Sequence, residues 1–165
     1  MKGGTMAGNK SKGKAQAKLL YDTSDNADML YATGLHVPDP FLFLEHKGEG
    51  ILVMNDLEYG RAKAQSRGKT VLRMADYRDK LSKKGKPGTL ENVIDLMLRE
   101  RRIKNLMVPR DFPTWLYLKL VGKRYRVQLS PGLLFPERAV KTKKEIGFLE
   151  DAQRVNEGAL ERAIS

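Results

Sequence analysis

The sequence contains no cysteine, only two histidines and a single tryptophan among its 165 residues. The absence of cysteine excludes a disulfide framework, cysteine-based zinc sites and thiol catalysis, and it is consistent with a reducing cytoplasm. No apolar run approaches the roughly 20 residues that a membrane-spanning helix needs. The N-terminus has lysines but lacks the apolar segment of a secretory signal. We therefore expect a cytoplasmic chain with no membrane partner.

The charge of the chain is strongly positive but unevenly distributed. The formal net charge of +11 invites a nucleic-acid hypothesis. Five lysines and no acidic residue lie in residues 1–18, so residues 19–165 carry only +6. The first segment is rich in glycine, lysine and alanine without periodicity, which predicts a disordered basic tail over 1–18. Met6 is a candidate natural start behind an added leader.

The segment after the tail carries the pattern of one α/β domain, which we place at residues 19–137. Two uninterrupted apolar runs, 41–44 and 51–54, flank a turn-rich connection and predict a β-hairpin. Because neither run alternates, both faces of the sheet should be covered. Strands and helices alternate after residue 50, which indicates a mixed sheet of five to six strands with helices on both faces.

The other predicted elements follow from capping residues, periodicity and turn signals. We expect Asp22–Asp25 to cap the first helix and Asp56 to cap the second. The predicted helices are 27–32, 57–65, 77–81, 89–102 and 114–121, and the further strands are 70–74, 106–108 and 125–129.

The last segment, 142–165, predicts a C-terminal amphipathic helix. Thr142 and Glu145 form a capping box. Apolar residues follow at helical spacing at Ile146, Leu149, Ala152, Val155, Ala159, Leu160 and Ala163. Such a stripe needs a cover, so we interpret 138–165 as the junction and first helix of a further domain that is missing from this chain.

Two sequence features could carry ligand chemistry. Gly68-Lys69-Thr70 resembles the end of a phosphate-binding loop, but position 63 is Lys63 where the motif needs glycine, so a turn into a strand is the better interpretation. His36 near Asp39 and His46 next to Glu45 are isolated pairs, whereas a metal site needs three or four converging ligands. Because these histidine pairs are isolated, we expect no metal site in this chain.

Asp56 and Glu58 are spaced as a catalytic carboxylate pair could be. The favoured alternative is structural, with Asp56 as a helix cap and Glu58 paired with Arg61 at i, i+3. No Gly-x-Ser-x-Gly elbow of a serine hydrolase is present.

The sequence also contains two runs of basic residues. Arg99, Arg101, Arg102 and Lys104 could bind phosphates, although cations are also favoured at a helix C-terminus, and no aromatic residues are interleaved with them. Lys141–Lys144 lies at the start of the last helix, where cations are disfavoured.

Several segments resemble the N-terminal domain of the creatinase/prolidase/Xaa-Pro aminopeptidase family: Ala27–Gly34, Pro38–Phe41 and Asn55–Arg61. The later Arg138-x-x-Lys141-x-x-x-Glu145-Ile146 looks like the junction that opens the catalytic domain of that family. The resemblance covers about Leu19 to Ser165 and implies a ribonuclease-H-like fold of the creatinase N-terminal type.

The resemblance also implies a following "pita-bread" domain that hydrolyses Xaa-Pro bonds with two divalent metals, manganese, cobalt or zinc. Its ligands, two Asp, one His and two Glu, do not map onto this sequence, so the expected catalytic, cofactor-binding and metal residues in this chain are none. The partners implied are the chain's own C-terminal catalytic domain, a peptide substrate and further copies in a homodimer or higher homo-oligomer, without nucleic acid. The implied role is oligomerisation and control of active-site access, with no activity from the chain alone.

Two alternatives remain open from the sequence. The chain could be a stand-alone module that dimerises through its last helix. It could also be a nucleic-acid-binding or nuclease domain on a ribonuclease-H-like fold, although the predicted strands carry almost no acidic residues to hold metal, Glu45 being the exception.

Overall fold

The computed structural model describes residues 16–66 and 68–164. The chain divides into two compact units, of which the first ends at Leu134 and the second begins at Phe135. The domain boundary predicted from the sequence lies three residues later, between 137 and 138.

The first unit contains a six-stranded mixed sheet and five helices within the described residues. The strands are β1 Ala17–Asp22, β2 Phe41–His46, β3 Glu49–Met54, β4 Thr70–Arg73, β5 Asn105–Val108 and β6 Arg126–Leu129. The helices are α1 Ala27–Thr33, α2 Asp56–Gln65, α3 Met74–Ser82, α4 Leu90–Glu100 and α5 Thr114–Gly122. The predicted α/β class with a mixed sheet is confirmed.

The sheet order is β4-β3-β2-β1-β5-β6. β1, β2 and β3 form an antiparallel meander, while β5 adds to β1, β6 to β5 and β4 to β3 in parallel. A meander extended by parallel strands on β1 agrees with the ribonuclease-H-like arrangement that the resemblance implies. Since parallel neighbours require crossover connections, helices follow β3, β4 and β5 in the chain.

The central strand β1 was missed by the sequence analysis. Ala17 and Lys18, assigned to the disordered tail, are residues of this strand, and the register pairs Lys18 with Glu45 and Leu19 with Leu44. The predicted end of the tail at residue 18 is therefore wrong, since Ala17 and Lys18 belong to the strand. Lys18 continues the run of lysines in the tail, so the sequence carries no sign that a strand begins there. Gln16, also placed in the tail, is described and donates a hydrogen bond to the Leu106 carbonyl at 2.9 Å, whereas residues 1–15 lie outside the described residues.

Both faces of the central strands are buried, as the lack of alternation predicted. On one face, Leu19, Leu44 and Ile51 align across β1, β2 and β3 and belong to the main apolar core with residues of α3, α4 and α5. On the other face, Leu20, Phe43 and Leu52 align and are at most 2% exposed.

Asparagines, rather than the predicted aspartates, cap the first two helices. The Asn26 side chain accepts hydrogen bonds from the backbone N–H groups of Asp28 and Met29 at the start of α1. The Asn55 side chain accepts from the Glu58 N–H at the start of α2. An asparagine oxygen satisfies helix N–H donors as well as a carboxylate does, so several adjacent candidates competed in the sequence.

The second unit contains a 3-10 turn, Pro136–Ala139, and α6, Lys143–Ile164. The predicted capping box is confirmed: the Glu145 N–H donates to Thr142 Oγ1 at 3.2 Å, and the Thr142 N–H donates to Glu145 Oε2 at 2.7 Å. The hydrogen bonds that the Thr142 N–H and the Thr142 hydroxyl donate to the Glu145 carboxylate hold the pKa of Glu145 below its ordinary value. Two lysines of the basic run Lys141–Lys144 have partners nearby in the chain. Lys141 Nζ donates to the Arg138 carbonyl, and Lys144 lies over the Phe148 ring.

Candidate functional site

The histidines do not converge with other ligands. His36 is exposed in the connection after α1, and His46 lies opposite Glu49 in the hairpin. Burial, aided by the charge of Lys47, lowers the pKa of His46 against the opposing effect of Glu49. Across residues 16–66 and 68–164, no group of three or more histidine or acidic side chains is placed to hold a metal ion.

The possible carboxylate pair is divided between two ion pairs. Glu58 binds Arg61, as predicted. Asp56 does not cap α2; it accepts hydrogen bonds from the Arg73 guanidinium at 2.7 and 3.0 Å. Each carboxylate therefore has its own cation, which suits structural ion pairs better than acid–base catalysis.

Gly68-Lys69-Thr70 leads into β4, as the turn interpretation predicted. Gly68 has φ of +73°, a conformation that favours glycine. The Thr70 hydroxyl donates to Glu49 Oε1 at 2.9 Å. A phosphate-binding loop would instead open a helix.

The basic residues at the end of α4 point to different partners. Arg99 Nε donates to Asp95 Oδ1 at 2.9 Å, one turn back on the same helix. Arg101 donates to the Tyr77 hydroxyl and the Met97 carbonyl, each at 3.2 Å. Lys104 lies over the Tyr125 ring. The phosphate site proposed from this run alone is therefore not assembled.

Arg99 instead joins a groove that sequence reasoning missed. Its volume is about 390 Å³, and its cations are Lys84 and Lys86 from the α3–α4 connection, Arg99 from α4 and Lys123 from the turn after α5. These four residues come from three separate segments of the chain, so no linear spacing links them. We call this the basic groove. Its remaining lining residues are Leu81, Asn92, Asp95 and Leu96.

Asp95 organises one wall of the basic groove. Its Oδ1 accepts from Arg99 Nε at 2.9 Å and from the Tyr125 hydroxyl at 2.8 Å, and Lys123 Nζ lies 4.0 Å from Oδ2. Burial alone would raise the pKa of Asp95, but these hydrogen bonds and charges hold it below its ordinary value. Burial and the neighbouring Asp95 carboxylate raise the pKa of Tyr125 well above its ordinary value.

Helix α5 presents a second surface, which we call the α5 face: Trp115, Leu118 and Val121, exposed by 49%, 61% and 43%. The opposite side of α5 buries Leu116 and Leu120. A helix that is apolar all round is normally covered on every side. The segment that contains the α5 face, residues 112–136, has four lysines and arginines and no acidic residue.

Helix α6 has no buried side chain among its described residues, 143–164. Large apolar groups are exposed along it, including Phe148, Leu149, Val155 and Leu160. Within the part of the chain that the structure describes, no helix combines the length and the apolar character required to cross a membrane.

Comparison with known proteins identifies the fold. No family model and no curated protein matches the sequence. Among solved structures, the chain is similar to an Xaa-Pro dipeptidase from Bacillus anthracis (TM-score 0.73, 17% identity, 90% of this chain and 38% of that chain). It is also similar to an X-Pro aminopeptidase from Thermotoga maritima MSB8 (TM-score 0.70, 16% identity, 90% and 40%).

A third structural relative is an X-prolyl aminopeptidase from Caenorhabditis elegans, described as a cytosolic enzyme with a di-nuclear active site (TM-score 0.54, 14% identity, 78% of this chain and 22% of that chain). The chain thus spans about 40% or less of the length of these structures. Its fold is that of the N-terminal domain of prolidase and Xaa-Pro aminopeptidase structures, as the resemblance predicted.

Proposed function

We propose that this chain is the non-catalytic N-terminal domain of an Xaa-Pro peptidase, and that a following C-terminal domain hydrolyses the Xaa-Pro bond. The observation that carries the proposal is that 90% of the chain superposes on 38% of the dipeptidase and 40% of the aminopeptidase. The quoted segments Ala27–Gly34 and Asn55–Arg61 support the same family independently of the coordinates.

The metals belong to the absent part of the proposed enzyme. The described residues do not fit a dinuclear site, because no group of three or more acidic or histidine side chains converges in them. The two divalent ions would therefore be held by the catalytic domain, where such metals activate a water for attack on the peptide bond. The cytosolic C. elegans relative supports a cytoplasmic location for this chain.

We assign α6 to the start of the catalytic domain. Its exposed apolar residues, Phe148, Leu149, Val155 and Leu160 among them, would be covered by the rest of that domain. Large contiguous apolar patches on a protein surface ordinarily mark such contacts.

Oligomerisation in this proposal uses the α5 face, with a second copy of the chain as its occupant. Trp115 and Leu118 supply the aromatic and aliphatic anchors that homodimer interfaces favour. β6 is an edge strand beside the same helix, so backbone pairing between copies could extend the contact. The oligomer would place this domain beside the active-site entrance and limit the length of the peptide that enters.

The first test is an assay of the pure 165-residue chain on an Xaa-Pro dipeptide and a longer Xaa-Pro peptide, with manganese or cobalt added. We expect no turnover, and turnover would overthrow the proposal. The second test is the reading frame of the natural gene. A continuation that encodes two Asp, one His and two Glu in the catalytic order supports the proposal, and a stop codon directly after Ser165 contradicts it.

A second candidate function is a stand-alone module that dimerises through α6, which its exposed Val155 and Leu160 favour. Sedimentation of the chain with and without residues 147–165 separates the two. Loss of the dimer on truncation supports this candidate, and a truncated chain that stays dimeric excludes α6 as the interface.

A further inference from the structure

The basic groove collects positive charge from three separate segments of the first unit. Lys84 and Lys86 come from the α3–α4 connection, Arg99 from the last turns of α4, and Lys123 from the turn that follows α5. Like charges gathered around one concavity repel each other, so the arrangement costs free energy unless an anion offsets it. Lys84 and Lys86 contribute nothing to the apolar core, since both are exposed.

The acidic residue in the lining does not neutralise the basic groove. Asp95 is already bound by Arg99 at 2.9 Å and by the Tyr125 hydroxyl at 2.8 Å. With four cations and one carboxylate, the lining keeps a formal charge of +3. No ion pair within residues 16–66 and 68–164 joins Lys84 or Lys86 to a carboxylate.

Hydrogen-bond donors remain available along the wall. The bond from Arg99 to Asp95 uses Nε, which leaves the terminal nitrogens of a planar fork that matches phosphate geometry. Lys123 Nζ is positioned by the Asn92 side-chain oxygen at 2.8 Å, and Asn92 is itself anchored to the Pro87 carbonyl at 3.0 Å. This chain of contacts orders one side of the groove in advance, which lowers the entropy cost of binding.

We infer that the basic groove binds a small ligand that carries two phosphate groups. Its volume of about 390 Å³ lies within the range of small-molecule sites. Two phosphates would let one ligand meet cations on both the loop side, Lys84 and Lys86, and the helix side, Arg99 and Lys123. No aromatic side chain is among the lining residues, so the groove lacks the stacking platform of a single-strand nucleic-acid site. This inference does not depend on the proposed peptidase role.

The test is calorimetric titration of the full chain with inorganic pyrophosphate and with fructose 1,6-bisphosphate, using orthophosphate as the single-phosphate comparison. We expect one of the two bisphosphates to bind about ten-fold or more tightly than orthophosphate, because separate charge-assisted contacts add. Which one binds identifies an inorganic or a sugar-borne ligand. Lys84→Ala with Lys86→Ala should weaken that binding about ten-fold.

The matched control is Lys63→Ala with Lys143→Ala, which removes the same charge from exposed positions outside the groove. It should bind as the parent does. Equal losses in both double variants would show attraction by net charge and would overturn the inference. So would bisphosphate binding no tighter than orthophosphate binding. Tighter binding of a DNA duplex than of either bisphosphate, lost in the Lys84/Lys86 variant, would also overturn it in favour of a nucleic-acid surface.

Discussion

The Tyr125 hydroxyl donates a 2.8 Å hydrogen bond to Asp95 Oδ1 and thereby ties the residue before β6 to the middle of α4. Tyr125 is 4% exposed and Asp95 8% exposed, so water does not readily replace either partner. The bond fixes the carboxylate that orients Arg99 and Lys123 on one wall of the basic groove.

Tyr125→Phe should lower the free energy of unfolding by about 2 kcal/mol, the usual contribution of a hydrogen bond to a charged group. Urea denaturation followed by circular dichroism measures it. A double-mutant cycle with Asp95→Asn isolates the pair, and Tyr59→Phe, in α2, serves as the matched control. A loss no larger than that of the control would show that the bond contributes little.

Asp95 should make stability depend on pH in the acid range. Its pKa is lower in the folded chain than in the unfolded chain, so its stabilisation is present above the unfolded value of about 4 and is lost as pH falls through the folded value. We expect the difference in unfolding free energy between the parent and Asp95→Asn to shrink between neutral pH and pH 3. An unchanged difference in urea titrations across that range would contradict the assignment.

Two glycines should respond to alanine with opposite signs. Gly34 ends α1 with φ of +68°, and its N–H donates to the Leu30 carbonyl at 2.7 Å, so Gly34→Ala should cost about 1 kcal/mol. Gly60 lies in α2 with open space around its Cβ position, so Gly60→Ala should stabilise by about 0.5–1 kcal/mol. Thermal and urea unfolding of both variants test the pair; equal signs would refute the conformational argument.

Thr142→Ala should weaken the start of α6 by about 1 kcal/mol, because it removes the acceptor of the Glu145 N–H. Hydrogen exchange of the amides at 143–147 reports this loss locally. Thr142→Ser keeps the hydroxyl and should restore protection. Faster exchange in both variants would mean that the hydroxyl is not what caps the helix.

Leu118→Arg should abolish self-association if the α5 face is the contact between copies. Because no acidic residue lies within 112–136, added salt should strengthen the parent dimer by screening like charges. Sedimentation equilibrium at low and high salt measures both effects. Leu57→Arg, at an apolar residue of α2 that is 82% exposed, is the control and should leave the oligomeric state unchanged. Dimers that survive Leu118→Arg would exclude this face.

The sequence was most informative where structure depends on near neighbours. The Thr142–Glu145 box and the apolar runs of β2 and β3 led to the correct elements because capping and burial are local signals. The strand β1 was not predicted because its partners are distant in the chain. Lys18 pairs with Glu45 across the sheet, and a lysine in a basic run gives no sign of a distant carboxylate.

The basic groove could not be predicted for a related reason. Lys84, Arg99 and Lys123 line one groove because α4 packs against both α3 and α5. The packing of the apolar helix faces brings these cations together, whereas the charged residues themselves follow no periodic pattern in the sequence. The sequence grouped Arg99 with the other basic residues at the end of α4 as a possible phosphate site. In the structure, Arg99 instead shares a groove with Lys84, Lys86 and Lys123.

β1 joins the two halves of the sheet. It pairs with β2 on one side and, through Ala17 and Lys18, with β5 on the other, a partner almost ninety positions later in the chain. Removing 17–22 would leave the β2-β3-β4 and β5-β6 parts of the sheet on one continuous chain, with the edges of β2 and β5 unpaired, and unpaired strand edges promote aggregation.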